Sequence, residues 1–133
     1  MRKHSLIVAA SLAALSASAQ SAPRQDGEAR LARAVEGRVA GEPVDCIPLH
    51  HVRSSTIIDN EAIVFDAGST IYVNRPRAGR ESLDHWDTLV TRPFGTRLCS
   101  IDVVRLMDST TRIETGTVFL GDFVPYTRKR RGR

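Results

Sequence analysis

The residues with the clearest capacity for chemistry are three histidines beyond the N-terminal region. His50 and His51 are adjacent, and His85 lies between Asp84 and Asp87 in the segment SLDHWD. Imidazole and carboxylate groups are common metal ligands, so His50 or His51 could form a metal site with His85 and one aspartate. The spacing is not specific for such a site, and loop histidines are also common as structural surface residues. We therefore assign no metal ligand and no cofactor from this pattern.

The other candidate catalytic groups have simple structural explanations. Three aspartates occupy turn positions, where a carboxylate can accept a hydrogen bond from its own backbone: Asp59, Asp66 and Asp108. Ser100 lacks both a Gly-x-Ser-x-Gly context and an identified base, and the sequence has no glycine-rich phosphate loop. We therefore predict no catalytic residue, which leaves enzymatic activity open but favours a protein without it.

Cys46 and Cys99 are the two cysteines of the chain. In an oxidising compartment an isolated pair most often forms a disulfide. A redox-active pair would usually be close in sequence, as in Cys-x-x-Cys, and this pair is not. We predict a structural disulfide between Cys46 and Cys99, with two buried free thiols as the alternative.

The charge of the chain is unevenly distributed. Of the 19 lysines and arginines, two lie in residues 1–19 and five in residues 128–133, so twelve remain against all 15 acidic residues. The body of the protein is therefore slightly acidic and carries a cationic tail. A nucleic-acid-binding face would need clustered basic residues with stacking aromatics, so we expect no sequence-specific nucleic-acid binding.

The tail is the strongest electrostatic feature. Its basic residues could contact an anionic surface by salt-sensitive attraction: Arg128, Lys129, Arg130, Arg131 and Arg133. The alternative is a disordered end that only improves solubility, which is the usual role of a terminal charge run.

The N-terminus has the three parts of a secretory signal. Arg2 and Lys3 precede an uncharged apolar run, Leu6–Leu15, and small residues follow at 17–19. That run is about half of the roughly 20 residues needed to cross a bilayer, so we predict a cleaved signal peptide over 1–19. Cleavage after Ala22 is the alternative to cleavage after Ala19. The protein is therefore expected to be exported and to act in the periplasm or as a secreted protein.

The remaining chain is predicted to hold one domain. Residues 20–27 are read as a flexible leader, residues 28–127 as a single β-rich domain, and residues 128–133 as a disordered basic tail. A short helix should open the domain, with Asp26 as its cap and Leu31, Ala32 and Val35 as its apolar stripe. Gly37 or Gly41 should end the helix.

The rest of the domain is predicted to be mainly β. Runs rich in Ile, Val, Thr and aromatic residues alternate with short turn signals: Thr56–Ile58, Ala62–Asp66, Thr70–Asn74, Thr88–Thr91, Leu98–Met107 and Thr117–Leu120. Connections this short join antiparallel strands. We expect a small antiparallel meander of about five or six strands, curled into a sheet or closed into a barrel.

The longest run, Leu98–Met107, indicates which side faces the core. Cys99, Ile101 and Val103 alternate with polar residues and are expected to point inward, which places Asp102 outward. The apolar positions then move by one residue, which predicts a bulge near Val103–Val104.

Several motifs occur in an order that resembles a family of small secreted bacterial proteins known only as a domain of unknown function. They are GRVAGEPVDCI (Gly37–Ile47), TIIDNEAIVF (Thr56–Phe65), IYVNRP (Ile71–Pro76), LCSIDVVRL (Leu98–Leu106) and FLGDFVPY (Phe119–Tyr126). The resemblance implies an exported, mostly β domain and brings no assigned activity or functional residue. A second cysteine pair often found in that family is missing here.

Two functional hypotheses follow. The first is a non-enzymatic binding or structural component of the cell envelope, whose partner is an envelope protein or an anionic envelope surface reached through the tail. The second is a small envelope hydrolase or metal-dependent enzyme that uses His50, His51 or His85 with Asp84 or Asp87. An enzyme requires these side chains to converge in one pocket, whereas a binding domain does not.

Overall fold

The computed structural model of the protein describes residues 22–130. The predicted signal peptide, residues 20–21 of the predicted leader and residues 131–133 of the tail lie outside the described residues. The described part forms one helix, α1 (Ala22–Ala34), and ten strands: β1 (Arg38–Ala40), β2 (Cys46–Pro48), β3 (Ser54–Ile58), β4 (Ala62–Asp66), β5 (Thr70–Asn74), β6 (Asp87–Val90), β7 (Arg97–Cys99), β8 (Val103–Asp108), β9 (Glu114–Phe119) and β10 (Phe123–Arg128). Two short 3-10 turns cover Leu49–His51 and Arg80–Ser82.

The strands form three antiparallel sheets. The largest has five strands in the order β1-β10-β5-β4-β3, a second has the order β6-β8-β9, and β2 pairs with β7. The prediction of a mainly β, antiparallel fold after one helix is confirmed. The sheets do not close into a barrel, and ten strands replace the five or six expected. Short strands such as β1 and β2 were missed because three residues carry too little periodicity to be recognised.

Two hydrophobic cores lie on opposite faces of the five-stranded sheet, because successive residues of a strand point to opposite sides. Ile63 and Phe65 of β4 enter the larger core with Phe123 of β10, and side chains of β7, β8 and β9 cover it. Ala62 and Val64 point the other way into a smaller core beneath α1. The architecture is therefore layered: helix, five-stranded sheet, and the two smaller sheets.

The helix begins earlier than predicted. It starts at Ala22, so Asp26 lies inside it and does not cap it, and the helix overlaps the segment read as a flexible leader. Leu31 is buried in the smaller core and Val35 packs against that core, as expected, whereas Ala32 is exposed. Gly37 follows the helix with a φ of 72°, a left-handed conformation that suits glycine at a helix end.

The run Leu98–Met107 is two strands rather than one, and the predicted inward face was wrong. A turn at residues 100–102 separates β7 from β8, and the Asp102 carboxylate accepts a hydrogen bond from the Cys99 N–H at 2.7 Å. Ile101 is 78% exposed as a result, and Val103 is also exposed. The register shift lies between Leu106 and Met107 instead of near Val103–Val104. The alternating pattern predicted one strand because it does not reveal this hydrogen bond, which closes a turn after β7.

Cys46 and Cys99 are bonded, with their sulfurs 2.08 Å apart, which confirms the predicted disulfide. The two residues lie directly opposite each other in the β2–β7 pair. Closing a loop over 53 residues lowers the entropy of the unfolded chain, a stabilisation of about 4 kcal/mol in the chain-entropy estimate. The disulfide also indicates that the protein resides in an oxidising, extracellular compartment.

Gly79 shows where the backbone demands a glycine. Its φ is 79°, and an added Cβ would collide with the Thr117 carbonyl oxygen and lie 3.1 Å from the Val118 Cα. Gly95 has a similar φ of 81°, but an added Cβ would meet nothing within 4 Å. The two glycines therefore share the same conformational strain on substitution and differ in steric room.

We expect Gly79→Ala to destabilise the protein much more than Gly95→Ala. The Gly95 variant should lose about 1 kcal/mol from left-handed strain alone, and the Gly79 variant at least about 3 kcal/mol because β9 must also move. Chemical unfolding of both variants measures the difference. Equal losses would show that Gly79 does not pack closely against β9.

Candidate functional site

The structure does not bring the three predicted histidines together. His50 and His51 occupy the exposed 3-10 turn after β2, with their ring centroids 4.2 Å apart. Among the described residues, the one group with metal-ligand character joins His85 to Asp59 and Asp84, whose candidate ligand atoms lie within 4.8 Å of one another. Thus one predicted aspartate meets His85, while Asp59 was expected only to shape a turn.

Asp59 holds His85 through ordinary hydrogen bonds. One carboxylate oxygen accepts the backbone N–H of His85 at 2.6 Å, and the other lies 2.8 Å from the ring Nδ1. The same second oxygen lies 3.1 Å from the guanidinium of Arg30 on the helix. Both oxygens of Asp59 are therefore engaged in fastening the loop before β6 to the β3–β4 turn. This arrangement explains the cluster structurally without a metal ion.

Trp86 follows this cluster and is 69% exposed. It borders an open pocket of about 460 Å³, together with Asp84, Asp87 and Asp108. We call this region the acidic end, defined by Asp59, Asp84, Asp87 and Asp108. Each of its carboxylates accepts a hydrogen bond from a backbone N–H or a threonine hydroxyl. These carboxylates therefore stabilise turns and strand ends through hydrogen bonds.

A second, positively charged region lies at the turn between β4 and β5. An open pocket of about 540 Å³ is lined there by Arg53 and Arg128, by three hydroxyl-bearing residues and by Gly68. Arg38 reaches the same turn from β1, and its guanidinium donates to the Ser69 carbonyl oxygen at 2.8 Å. We call Arg38, Arg53 and Arg128 the basic turn.

Three separate segments deliver these arginines. Arg53 immediately precedes β3, and its guanidinium lies so close to Gly68 that an added Cβ would be 3.1 Å from its Cζ. Arg38 and Arg128 are direct partners in the β1–β10 pair. Sequence reasoning named Arg128 but missed Arg38 and Arg53, because their meeting depends on the order of strands in the sheet.

Unlike three other arginines, the arginines of the basic turn have no carboxylate partner among residues 22–130. Arg30, Arg75 and Arg105 each lie within 4 Å of a carboxylate. Among residues 22–130, no carboxylate oxygen lies within that distance of a basic-turn arginine. The carboxylate of Asp66, in the same turn, instead accepts the Gly68 N–H at 2.7 Å. The positive charge of the turn is therefore not paired within the described residues.

The predicted tail starts at this same place. Arg128 is the last residue of β10, and Lys129 and Arg130 continue from it as exposed residues. Arg131 and Arg133 lie outside the described residues. The described part of the tail thus leaves the sheet beside the basic turn, so the two add to one positive region.

Comparison of the chain with known protein families, curated proteins and solved structures finds no match. The resemblance to a family of small secreted bacterial proteins therefore stays a prediction. Within residues 22–130, no helix has the length and apolar character that crossing a membrane requires.

The contribution of Asp108 to the stability of the fold depends on pH. Hydrogen bonds from the backbone N–H groups of Thr111 and Thr110, and from the Thr111 hydroxyl, lower the pKa of its carboxyl below the ordinary value. A group with a lowered native pKa stabilises the fold above its unfolded pKa and loses that contribution as the pH falls through the native value.

We expect Asp108→Ala to lower the melting temperature at neutral pH and to matter less in strong acid, well below an aspartate pKa of about 3.9. Asp122→Ala is the matched control, since Asp122 is exposed and accepts none of the hydrogen bonds described here. Calorimetry at both pH values measures the effect. An Asp108→Ala deficit that persists unchanged in acid would contradict this role of the charge.

Proposed function

We propose that this protein is an exported, non-enzymatic domain of the periplasm or extracellular space that attaches to an anionic surface of the cell envelope. The observation that carries the proposal is the convergence of Arg38 and Arg53 with Arg128, at the point where the basic tail leaves the sheet. A tail that served only solubility would not require further arginines from distant segments beside it.

The charge arrangement supports attachment physically. A basic residue near an anionic membrane contributes about 1 kcal/mol, and the attraction weakens as salt screens it. The basic turn and the tail together supply seven such residues: Arg38, Arg53, Arg128, Lys129, Arg130, Arg131 and Arg133. Contributions of about 1 kcal/mol from each of these residues give reversible, salt-sensitive binding.

The fold also gives the attached protein an orientation. Arg53 and Asp59 lie at opposite ends of β3, six residues apart, which corresponds to ~20 Å along an extended strand. The acidic end is therefore kept away from an anionic surface that the basic turn contacts. Repulsion between the carboxylates and the surface favours the same orientation.

The enzyme hypothesis has less support. His50 and His51 do not join the group formed by His85, Asp59 and Asp84, and both oxygens of Asp59 already have partners. A hydrolytic or metal-dependent site would need a free ligand set in a concave pocket. The exposed Asp59–His85 pair is better explained as a fastening between loops.

The proposal predicts that the contribution of an arginine to vesicle binding depends on its position in the fold. Arg53→Gln should weaken binding of the full processed chain to phosphatidylglycerol vesicles about fivefold, which corresponds to loss of about 1 kcal/mol. Arg92→Gln is the matched control, because it removes the same charge from an exposed residue of the β6–β7 loop. Vesicle sedimentation at low and physiological salt measures both affinities.

We expect Arg92→Gln to bind within twofold of the parent, and phosphatidylcholine vesicles to bind neither protein. Deleting residues 129–133 should weaken binding further than Arg53→Gln does. Equal effects of Arg53→Gln and Arg92→Gln would mean that only net charge matters, which would overturn the role given to the basic turn.

A further inference from the structure

We propose that the pocket at the basic turn is a discrete binding site for a phosphate group, as an ester or a diester. The inference rests on the proposed function and gives that surface contact a specific ligand chemistry. The pocket has a volume of about 540 Å³, and its lining consists of Arg53, Arg128, Gly68, Ser69, Thr70 and Thr127.

The lining offers the donors that a phosphate group requires. Each guanidinium presents a fork of N–H groups that matches a pair of phosphate oxygens. Ser69, Thr70 and Thr127 also line the pocket and carry hydroxyl donors. No carboxylate belongs to the lining among the residues that the structure describes. A tetrahedral anion with several acceptor oxygens fits this set better than a cation or an apolar molecule does.

The pocket is held in shape by groups that do not need the ligand. Arg38 donates to the carbonyl oxygens of Ser69 and, at 3.4 Å, of Gly68, which fixes the far side of the turn. The Asp66 carboxylate accepts the Gly68 N–H at 2.7 Å, and the Ala67 N–H donates to the Thr70 carbonyl oxygen at 2.9 Å. A phosphate group would therefore meet a turn that is already ordered.

Strand register brings the donors to one place. Thr70 and Thr127 are direct partners in the β5–β10 pair, so their side chains lie on the same face of the sheet. Gly68 leaves room for the Arg53 guanidinium against the backbone, since an added Cβ would be 3.1 Å from its Cζ. Arg53 and the two threonines therefore line the same pocket.

Two like charges meet beside the pocket in the β1–β10 pair. Arg38 and Arg128 are directly opposed in the β1–β10 pair, and like charges in such positions destabilise a sheet. Within the described chain no carboxylate lies within 4 Å of either residue. Arg38 donates to the carbonyl oxygens of Gly68, Ser69 and Tyr126, so Arg128, which lines the pocket, is the member of this pair that would contact a phosphate group.

The test is a titration of the full processed chain with inorganic phosphate at constant ionic strength, followed by amide NMR. We expect saturable shifts at residues 66–70 and 127–128, and at least tenfold weaker binding in Arg53→Gln. Thr127→Val should also weaken phosphate binding, although it leaves every charge in place. Arg92→Gln should titrate like the parent, and the amide spectrum shows for each variant whether it is folded.

Three results would overturn the inference: shifts that do not saturate, the same shifts with chloride at equal ionic strength, or unchanged affinity in both Arg53→Gln and Thr127→Val. Its failure is distinct from failure of the proposed function, because vesicle binding driven by diffuse charge would survive Thr127→Val.

Two further titrations identify the source of the phosphate group. Competition between phosphatidylglycerol vesicles and inorganic phosphate would support the site and place the ligand in a surface. Binding of glycerol 3-phosphate without any binding of vesicles would support the site, identify a soluble phosphate ester as its ligand and contradict attachment to a surface.

Discussion

The register of the β3–β4–β5 meander is the constraint on which the charge layout depends. Ser54 pairs with Asp66 at one end of the β3–β4 hairpin, and Ile58 pairs with Ala62 at the other. The first end carries Arg53 and the basic turn, and the second carries Asp59 and the acidic end. A shift of the register by one residue would turn the core side chains of β4 to the wrong faces. The same hydrophobic packing therefore fixes the separation of the two charged ends.

The rest of the fold supports this meander from both sides. The helix covers one face, and the smaller sheets cover the other. Asn74, at the end of β5, is fully buried and bonds both the carbonyl oxygen and the N–H of Gly121, at 2.6 and 3.0 Å. Gly121 lies two residues before β10, and Phe123 of β10 pairs with Asn74, so these bonds hold the beginning of β10 in register with β5. The same register places Thr127, the neighbour of Arg128, opposite Thr70.

The two charged ends differ in how their charges are used. At the acidic end, Asp59, Asp84 and Asp108 accept backbone hydrogen bonds, so their carboxylates hold turns in place. At the basic turn, Arg38 uses its donors on the turn, but Arg53 has no carboxylate within 4 Å among the described residues. Unpaired charge beside a pocket is what a binding surface for anions requires.

Patterns within short segments of the sequence predicted the individual strands and the disulfide. The alternating and β-branched runs of β4 and β5, and the two isolated cysteines, were sufficient to predict an antiparallel fold and the disulfide. The turn at Asp102 was missed, because its effect depends on a side-chain bond to Cys99 that no periodicity reveals. The basic turn was missed for a different reason. Its arginines lie up to 90 residues apart, between Arg38 and Arg128. The pairing of β1 with β10 joins these two, and the β3–β4 hairpin brings Arg53 to the same turn.

The most direct test of the account is the orientation of the protein on an anionic surface. Trp86 is the single tryptophan of the chain and lies at the acidic end, so its fluorescence reports which end meets the surface. Phosphatidylglycerol vesicles that carry a headgroup quencher provide the measurement. A Trp86→Phe, Val39→Trp variant serves as the control, because Val39 is exposed on β1 opposite Thr127.

We predict that Trp86 of the bound protein stays unquenched, whereas the tryptophan at position 39 is quenched. Quenching of Trp86, or a failure of the protein to bind these vesicles at low salt, would contradict attachment through the basic turn.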